Sequence, residues 1–214
     1  MSAPPARGPY AKSAQVRRRI LEVCVEVFGE TGFYGASTKD IAQRAGISHT
    51  GLRHHFPRKE DLLAAVMELR DDQSVQLLES AQALDPQGHP VEALLGMLAV
   101  VAELERQPGI LALYCVTSGE ATAPDHPAHP YYVERYRGLR AFYTAAYTAL
   151  AQRGALRSVI APETLATMTL GLLGGLQEQW LFDRDAVGIE HMLRTFIGSF
   201  VPDLAPPNPP STSR

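Results

Sequence analysis

The sequence predicts an all-α protein in which a small helix-turn-helix head is joined to a larger helical body. Three observations carry this. Apolar residues recur at three and four positions along most of the chain, no stretch of convincing length alternates with period two, and residues 37–56 read as two short helices around a glycine turn.

The length of 214 residues fits one large domain or a small one attached to a larger one. Charge favours the second. Residues 1–70 hold 11 Lys and Arg against 7 Asp and Glu, net +4, and residues 71–214 hold 9 against 16, net −7. The overall −3 therefore conceals a basic head on an acidic body, suited to phosphate neutralisation without indiscriminate sticking to nucleic acid. Cys24 and Cys115 share no repeated spacing and lie in apolar helical stretches, so both read as reduced core residues. No apolar run approaches the roughly 20 residues of a membrane span, and Met1–Pro9 lacks the apolar segment of a secretory signal. The expected location is the cytoplasm, with no membrane partner.

Taken in order, residues 1–12 are expected to be a disordered arm, since Ser2–Pro9 is rich in Pro, Ser and Gly. From Ser13 to Thr31, Val16, Ile20, Val23, Cys24, Val27 and Phe28 form one apolar stripe, with Arg17, Arg18 and Arg19 on another face. Gly32 ends this helix, and Phe33 and Tyr34 can pack over the turn. Within Ser37–Phe56, Thr38 can cap the first short helix, Ile41 and Ala42 face inward, and Gly46 supplies a left-handed exit. Ser48 then caps a second helix that presents His49, Thr50, Arg53 and His54 outward, with Leu52 and Phe56 as anchors. Such a helix is built to touch base edges and phosphates. The DNA-binding domain is placed at 13–58, with its motif at 37–56.

Pro57 breaks the pattern, and a helix from about Lys59 towards Ala83 leads into a body spanning 59–201. Further helices are expected at Val91–Arg106 (with Pro90 in its first turn), Gly109–Glu120, Pro130–Arg153, Pro162–Phe182 and Ile189–Val201. Ala121–His129 reads as a proline-punctuated loop, and 202–214 as a disordered tail.

The basic first helix followed by GFYGASTKDIAQRAGISHTGLRHHFPRKEDLLAAVMELRD, Gly32–Asp71, resembles the DNA-binding head of TetR-family transcriptional regulators. The glycine and aromatic after the first helix, Thr38, Asp40-Ile41-Ala42, Gly46 with Ser48, and Leu52, His55-Phe56-Pro57 and Lys59 stand where the family pattern has them. The resemblance implies about nine helices, a homodimer, double-stranded operator DNA as partner, and a small-molecule effector that enters the body and releases the DNA. It implies that Thr38, His54 and Lys59 meet phosphates and that His49 and Thr50 read bases; Lys39, Ser48 and Gly51 complete the expected DNA-facing set. Arg53 departs from a common tyrosine, and Thr50-Gly51 inverts the commoner glycine-first order. Arg53 can reach a phosphate or guanine, so the operator cannot be borrowed from relatives. Arg7, Lys12 and Arg17–Arg19 are candidates for further contacts, the arginine run being equally readable as a solvated face.

On the C-terminal helices, Leu165, Met168, Leu172 and Leu176 recur at three and four beside Gly171, Gly174 and Gly175. With Leu193, Phe196, Ile197 and Phe200 they can form a four-helix interface between two chains, resembling the family's usual dimer. The alternative is that both stripes belong to the chain's own core. Candidate ligand-lining residues are Met97, Tyr114, Cys115, Phe142, Tyr143, Tyr147, Met168, Gln177 and Trp180, each of which can equally be a core residue. Glu178 is a candidate for fixing a cationic group.

Catalysis is not expected: there is no serine elbow, phosphate-cradling glycine loop, paired metal ligands on one helix face or Cys-His pairing. No cofactor is expected. His126, His129 and Asp125 offer donors within one loop, but prolines extend it and no fourth ligand is near in sequence, so no metal site is expected. Two rivals to a ligand-released repressor stay open, an activator of the same fold and an architectural binder indifferent to sequence.

Overall fold

The computed structural model of the protein describes residues 9–80 and 83–205, without the side chains of 9–12. Among these residues every regular element is helical: α1 Pro9–Gly35, α2 Thr38–Arg44, α3 His49–His55, α4 Lys59–Ser80, α5 Pro90–Glu105, α6 Pro108–Glu120, α7 His129–Gln152, α8 Pro162–Phe182 and α9 Ile189–Gly198, then a 3-10 turn at Pro202–Leu204.

The chain divides into two compact units. The first comprises residues up to Arg70 together with Ala112–His129, and the second comprises Asp71–Leu111 with Pro130 onward. The expected cut at residue 58 is therefore displaced in two ways. The first half of α4 stays with the head, because Leu62, Leu63, Val66 and Met67 are buried there. Most of α6 and its following loop also join the head, an association between distant segments that no local pattern announces.

In the first unit, α1 buries Ile20, Cys24, Val27 and Phe28, the stripe read from the sequence. It begins at Pro9, inside the expected disordered arm, where a proline at a helix start forfeits only an N–H that has no helical partner. Gly32 interrupts it at φ 69°, ψ −179°, a conformation essentially reserved for glycine, and one short turn follows before α2. Arg7, the Lys12 side chain and the tail beyond Ala205 lie outside the described residues.

In the second unit, α9 packs against α5 and α8. Leu94, Leu98, Tyr143, Tyr147, Leu165, Leu193 and Ile197 are among the core residues. The Glu105 carboxylate, from α5, accepts the Ile189 and Glu190 N–H groups at 3.1 and 3.2 Å, capping α9 where helix donors are otherwise unsatisfied. The expected tail starts too early: Val201 and Leu204 are each 1% exposed, because the chain folds back after α9 and brings the Ala205 backbone against Gly198. A Cβ at Gly198 would stand 2.7 Å from Ala205 Cα, so this reversal needs a residue without one.

Four of the expected dimer residues, Leu165, Leu176, Leu193 and Phe200, lie in the chain's own core. The reason is geometric, since one helical stripe cannot face both its own bundle and a second chain. Leu172 and Phe196 are half-buried at the margin of that core, and nothing lies within 4 Å of where a Cβ at Gly171, Gly174 or Gly175 would stand. Met168, expected in a ligand cavity, is exposed, and with Val159, Ile160 and Phe196 it lines an open groove of about 580 Å³ on this face. Met192 and Phe182 are also exposed.

Candidate nucleic-acid interface

Two short helices are held at a fixed angle by their turn. Gly46 adopts φ 67°, its N–H donates to the Gln43 carbonyl at 3.0 Å, and the Ile47 N–H reaches back to Ala42 O at 3.0 Å. Ser48 then caps α3, its Oγ accepting the Gly51 N–H at 3.0 Å. Leu52 and Phe56 are buried, fixing the inner face of α3, and the Arg17 guanidinium stacks 4.2 Å from the Phe56 ring. Thr50, Arg53 and His54 are left exposed, with His49 and Gly51 half-buried.

The cap of α2 differs from expectation. Ser37 occupies the N-cap position without a side-chain hydrogen bond, and Thr38 is the first helical residue. The Thr38 hydroxyl is instead 3.0 Å from His49 Nε2, so two side chains expected to meet DNA separately are joined. They share a concavity of about 570 Å³ with Arg53, Arg58 and Lys59.

Lys59 is placed differently from a free phosphate ligand. Its Nζ donates to the Phe33 and Ala36 carbonyls at 2.8 and 3.1 Å and lies 4.4 Å from the Phe33 ring centroid. An ammonium placed on the carbonyls of a finished helix turn stabilises that turn. Arg44 is engaged by Glu30 and Asp40 at 2.9 and 3.0 Å, which raises its pKa. Arg58 pairs with Asp61 at 2.8 Å and its backbone N–H donates to the same carboxylate, lowering the Asp61 pKa; this capping arrangement starts α4. Arg18 pairs with Glu22 at 3.0 Å. Among the described residues no ion pair engages Lys39 or Arg53, so their charges are available at the surface.

Of the expected ligand-lining residues, Tyr114 and Cys115 fall in the first unit and the rest in the second. Met97, Tyr143, Tyr147 and Trp180 are core residues, with Phe142 packed against them. Tyr147 Oη is 2.9 Å from Thr169 Oγ1, whereas the buried Tyr143 hydroxyl has no hydrogen-bond partner. Burial raises both phenol pKa values, so both stay neutral. Gln177 is half-buried and Glu178 exposed.

Sequence reading missed Glu120 and reached His126 only as a remote metal candidate. Both belong to the first unit. Glu120 accepts the backbone N–H groups of Phe33 at 2.6 Å and Tyr34 at 3.4 Å, while the His126 ring is buried edge-on against Phe33 and Tyr34, at 5.2 Å from each. The signal available in the sequence was the proline-punctuated loop itself.

Comparison with known proteins agrees with this geometry. Residues 20–66 match the family model for bacterial regulatory proteins of the tetR family. Over nearly its whole length the chain is 25% identical to the HTH-type transcriptional regulator AcrR of Shigella flexneri, covering 90% of each protein. It is 28% identical to the HTH-type transcriptional repressor BepR of Brucella suis, over 82% of this chain and 85% of that protein. In fold it resembles SmeT, the repressor of the Stenotrophomonas maltophilia multidrug efflux pump SmeDEF, with a TM-score of 0.67 at 20% identity, over 90% and 94% of the two chains. The complex of SmeT with triclosan gives a TM-score of 0.71 at 16% identity, over 94% and 99%. No helix among the described residues is long and apolar enough to cross a membrane. The helix-turn-helix head, the all-helical body and these relatives together support a TetR-family transcriptional regulator, with the family model matched over residues 20–66.

Proposed function

We propose that the protein is a homodimeric repressor that grips a roughly palindromic, double-stranded operator through two α3 helices and releases it when a small molecule enters the body. The observation that carries this is α3 itself, a helix fixed on its inner side by Leu52 and Phe56 and offering Thr50, Arg53 and His54 to solvent. In this reading residues 13–58 of the first unit hold DNA, and the effector and dimer surfaces lie within 59–201, the dimer surface on the second unit. His49, Thr50 and Arg53 read bases, while Thr38, Lys39, Ser48, Gly51 and His54 meet the backbone. Lys59 acts mainly by bracing the turn before α2.

Two heads related by a two-fold axis fit successive major grooves about 34–36 Å apart, so head separation controls affinity. The apolar face bearing Met168, Leu172, Gly175 and Phe196, extended by Met192 and Phe182, supplies the pairing surface. An effector needs only to bind the splayed form better. The names of BepR and SmeT as repressors, and the binding of triclosan by SmeT, favour repression and a largely apolar effector.

Selection of bound duplexes from a random pool tests the DNA-reading part. A two-fold symmetric motif is expected, and equal affinity for scrambled duplexes with a steep salt slope would instead identify an architectural binder. A reporter gene placed behind the selected motif should fall in expression when the protein is supplied, and a rise would identify an activator.

A further inference from the structure

We propose that Glu120, backed by His126, is a positioning residue for DNA reading: its carboxylate holds the turn between α1 and α2, and protonation of His126 loosens that hold. The inference goes beyond the proposed repressor function but rests on the head's binding DNA.

The turn is gripped from two elements of the first unit. Glu120, at the end of α6, takes the Phe33 and Tyr34 N–H groups, which follow the break that Gly32 makes in α1. A side chain at Gly32 would overlap this carboxylate, so glycine is needed there both for its backbone angles and for the close approach. Lys59, from α4, holds the Phe33 and Ala36 carbonyls. The next two residues are Ser37, the N-cap of α2, and Thr38, which is bonded to His49. A shift of this turn therefore moves the start of α2 and, through Thr38, the side chain at the start of α3.

His126 is the proton-sensitive part. Its Nδ1 accepts the Ala128 N–H at 3.1 Å, which assigns the single ring proton to Nε2. That Nε2 is buried, without a hydrogen-bond partner, and 3.7 Å from Glu120 Oε2. A second proton on Nδ1 would face the Ala128 N–H, donor against donor, and break the loop's hydrogen bond. The groups around the ring are the Glu120 carboxylate from α6, Asp125 from the same loop, and the Tyr34 phenol from α1. His129 lies at the loop's end with Nδ1 on Ala121 O, and the Lys59 ammonium sits over the same Phe33 ring. Burial lowers the His126 pKa, and Glu120 and Asp125 offset this only in part. The closed junction thus binds the proton less tightly than an opened one, so the hold is complete above about 6.5, the free-imidazole value, and is lost as pH falls below it.

The test uses the full chain and a duplex selected from a random pool by the wild-type protein. Glu120→Gln, which keeps the shape and removes the charge, should weaken binding about tenfold at about pH 7.5, within the usual size of such couplings. His126→Phe keeps the ring and removes the titrating site. Between about pH 7.5 and 5.5 the wild type should lose roughly three- to tenfold in affinity relative to this variant. The comparison cancels His49, His54 and His55, which both proteins share. Protection of the Phe33 and Tyr34 amides in the DNA-free protein, taken as exchange relative to the intrinsic base-catalysed rate at each pH, should fall on acidification in the wild type more than in His126→Phe. That measurement needs no DNA, so it separates failure of the junction from failure of operator reading. Superimposable pH profiles for wild type and His126→Phe, in binding and in exchange, would overturn the proposal, as would unchanged affinity in Glu120→Gln.

Discussion

Thr38 Oγ1 lies 3.0 Å from His49 Nε2, tying the first residue of α2 to the first residue of α3 across the turn. Neither side chain therefore meets DNA independently of the other. Thr38→Val, which removes the hydroxyl at constant shape, should weaken DNA binding and alter base preference at the His49 contact. In a double-mutant cycle with His49→Ala, a coupling of about 0.5–3 kcal/mol is expected for groups in direct contact. Additive losses would show that the two act separately.

Lys59 donates to two backbone carbonyls, so its removal should cost stability as well as affinity. Lys59→Met, which keeps the aliphatic stem, should lower unfolding free energy by about 1.5–3 kcal/mol, the range for a hydrogen bond from a charged group. Urea titration should show a lower midpoint with an unchanged slope. A lysine that served only as a phosphate contact would leave the midpoint where it is.

Gly198 makes room for the backbone of Ala205. Gly198→Ala should destabilise the second unit by about 1–3 kcal/mol, as overpacking typically does, because backbone rather than a flexible side chain must move. Limited proteolysis should then cut near Leu204 sooner than in the wild type.

Burial pushes the Cys24 thiol up to about 12, so it stays protonated and unreactive at neutral pH. Cys115 is half-buried. A thiol reagent should modify Cys115 first and reach Cys24 only on unfolding, with no gain at Cys24 between about pH 7 and 9, a window well below that raised value. Equal labelling rates in the folded protein would contradict the burial of α1 on its Cys24 face.

The exposed face around Met168, beside Leu172 and Phe196, is the dimer surface proposed above. Met168→Glu places a charge on it, and sedimentation at micromolar concentration should show the dimer giving way to monomer, with operator affinity falling because paired heads no longer bind together. Unaltered sedimentation would move the interface elsewhere.

The local grammar of this chain was legible without coordinates. Gly32, Gly46, Ser48, Leu52 and Phe56 were read for their roles from residue type and spacing alone, because caps, left-handed turns and apolar stripes are set within four residues of sequence. Helix bounds in the body came within a few residues for the same reason. Thr38 was read as a cap and proved to be a partner of His49, since the two are eleven residues apart and only the angle between α2 and α3 brings them together.

Periodicity told which residues of α8 and α9 are apolar but not which surface they face, so Leu165, Leu176, Leu193 and Phe200 proved to be core while Met168 was left outside. The sequence by itself determined the helical class, the basic head, the reading helix and the family resemblance, all of which rest on patterns within one element or its neighbour. Tertiary structure decided that most of α6 and its loop join the head and place Glu120 and His126 on Phe33 and Tyr34. Contacts across 86 to 87 residues depend on how whole helices pack, and no local spacing encodes them.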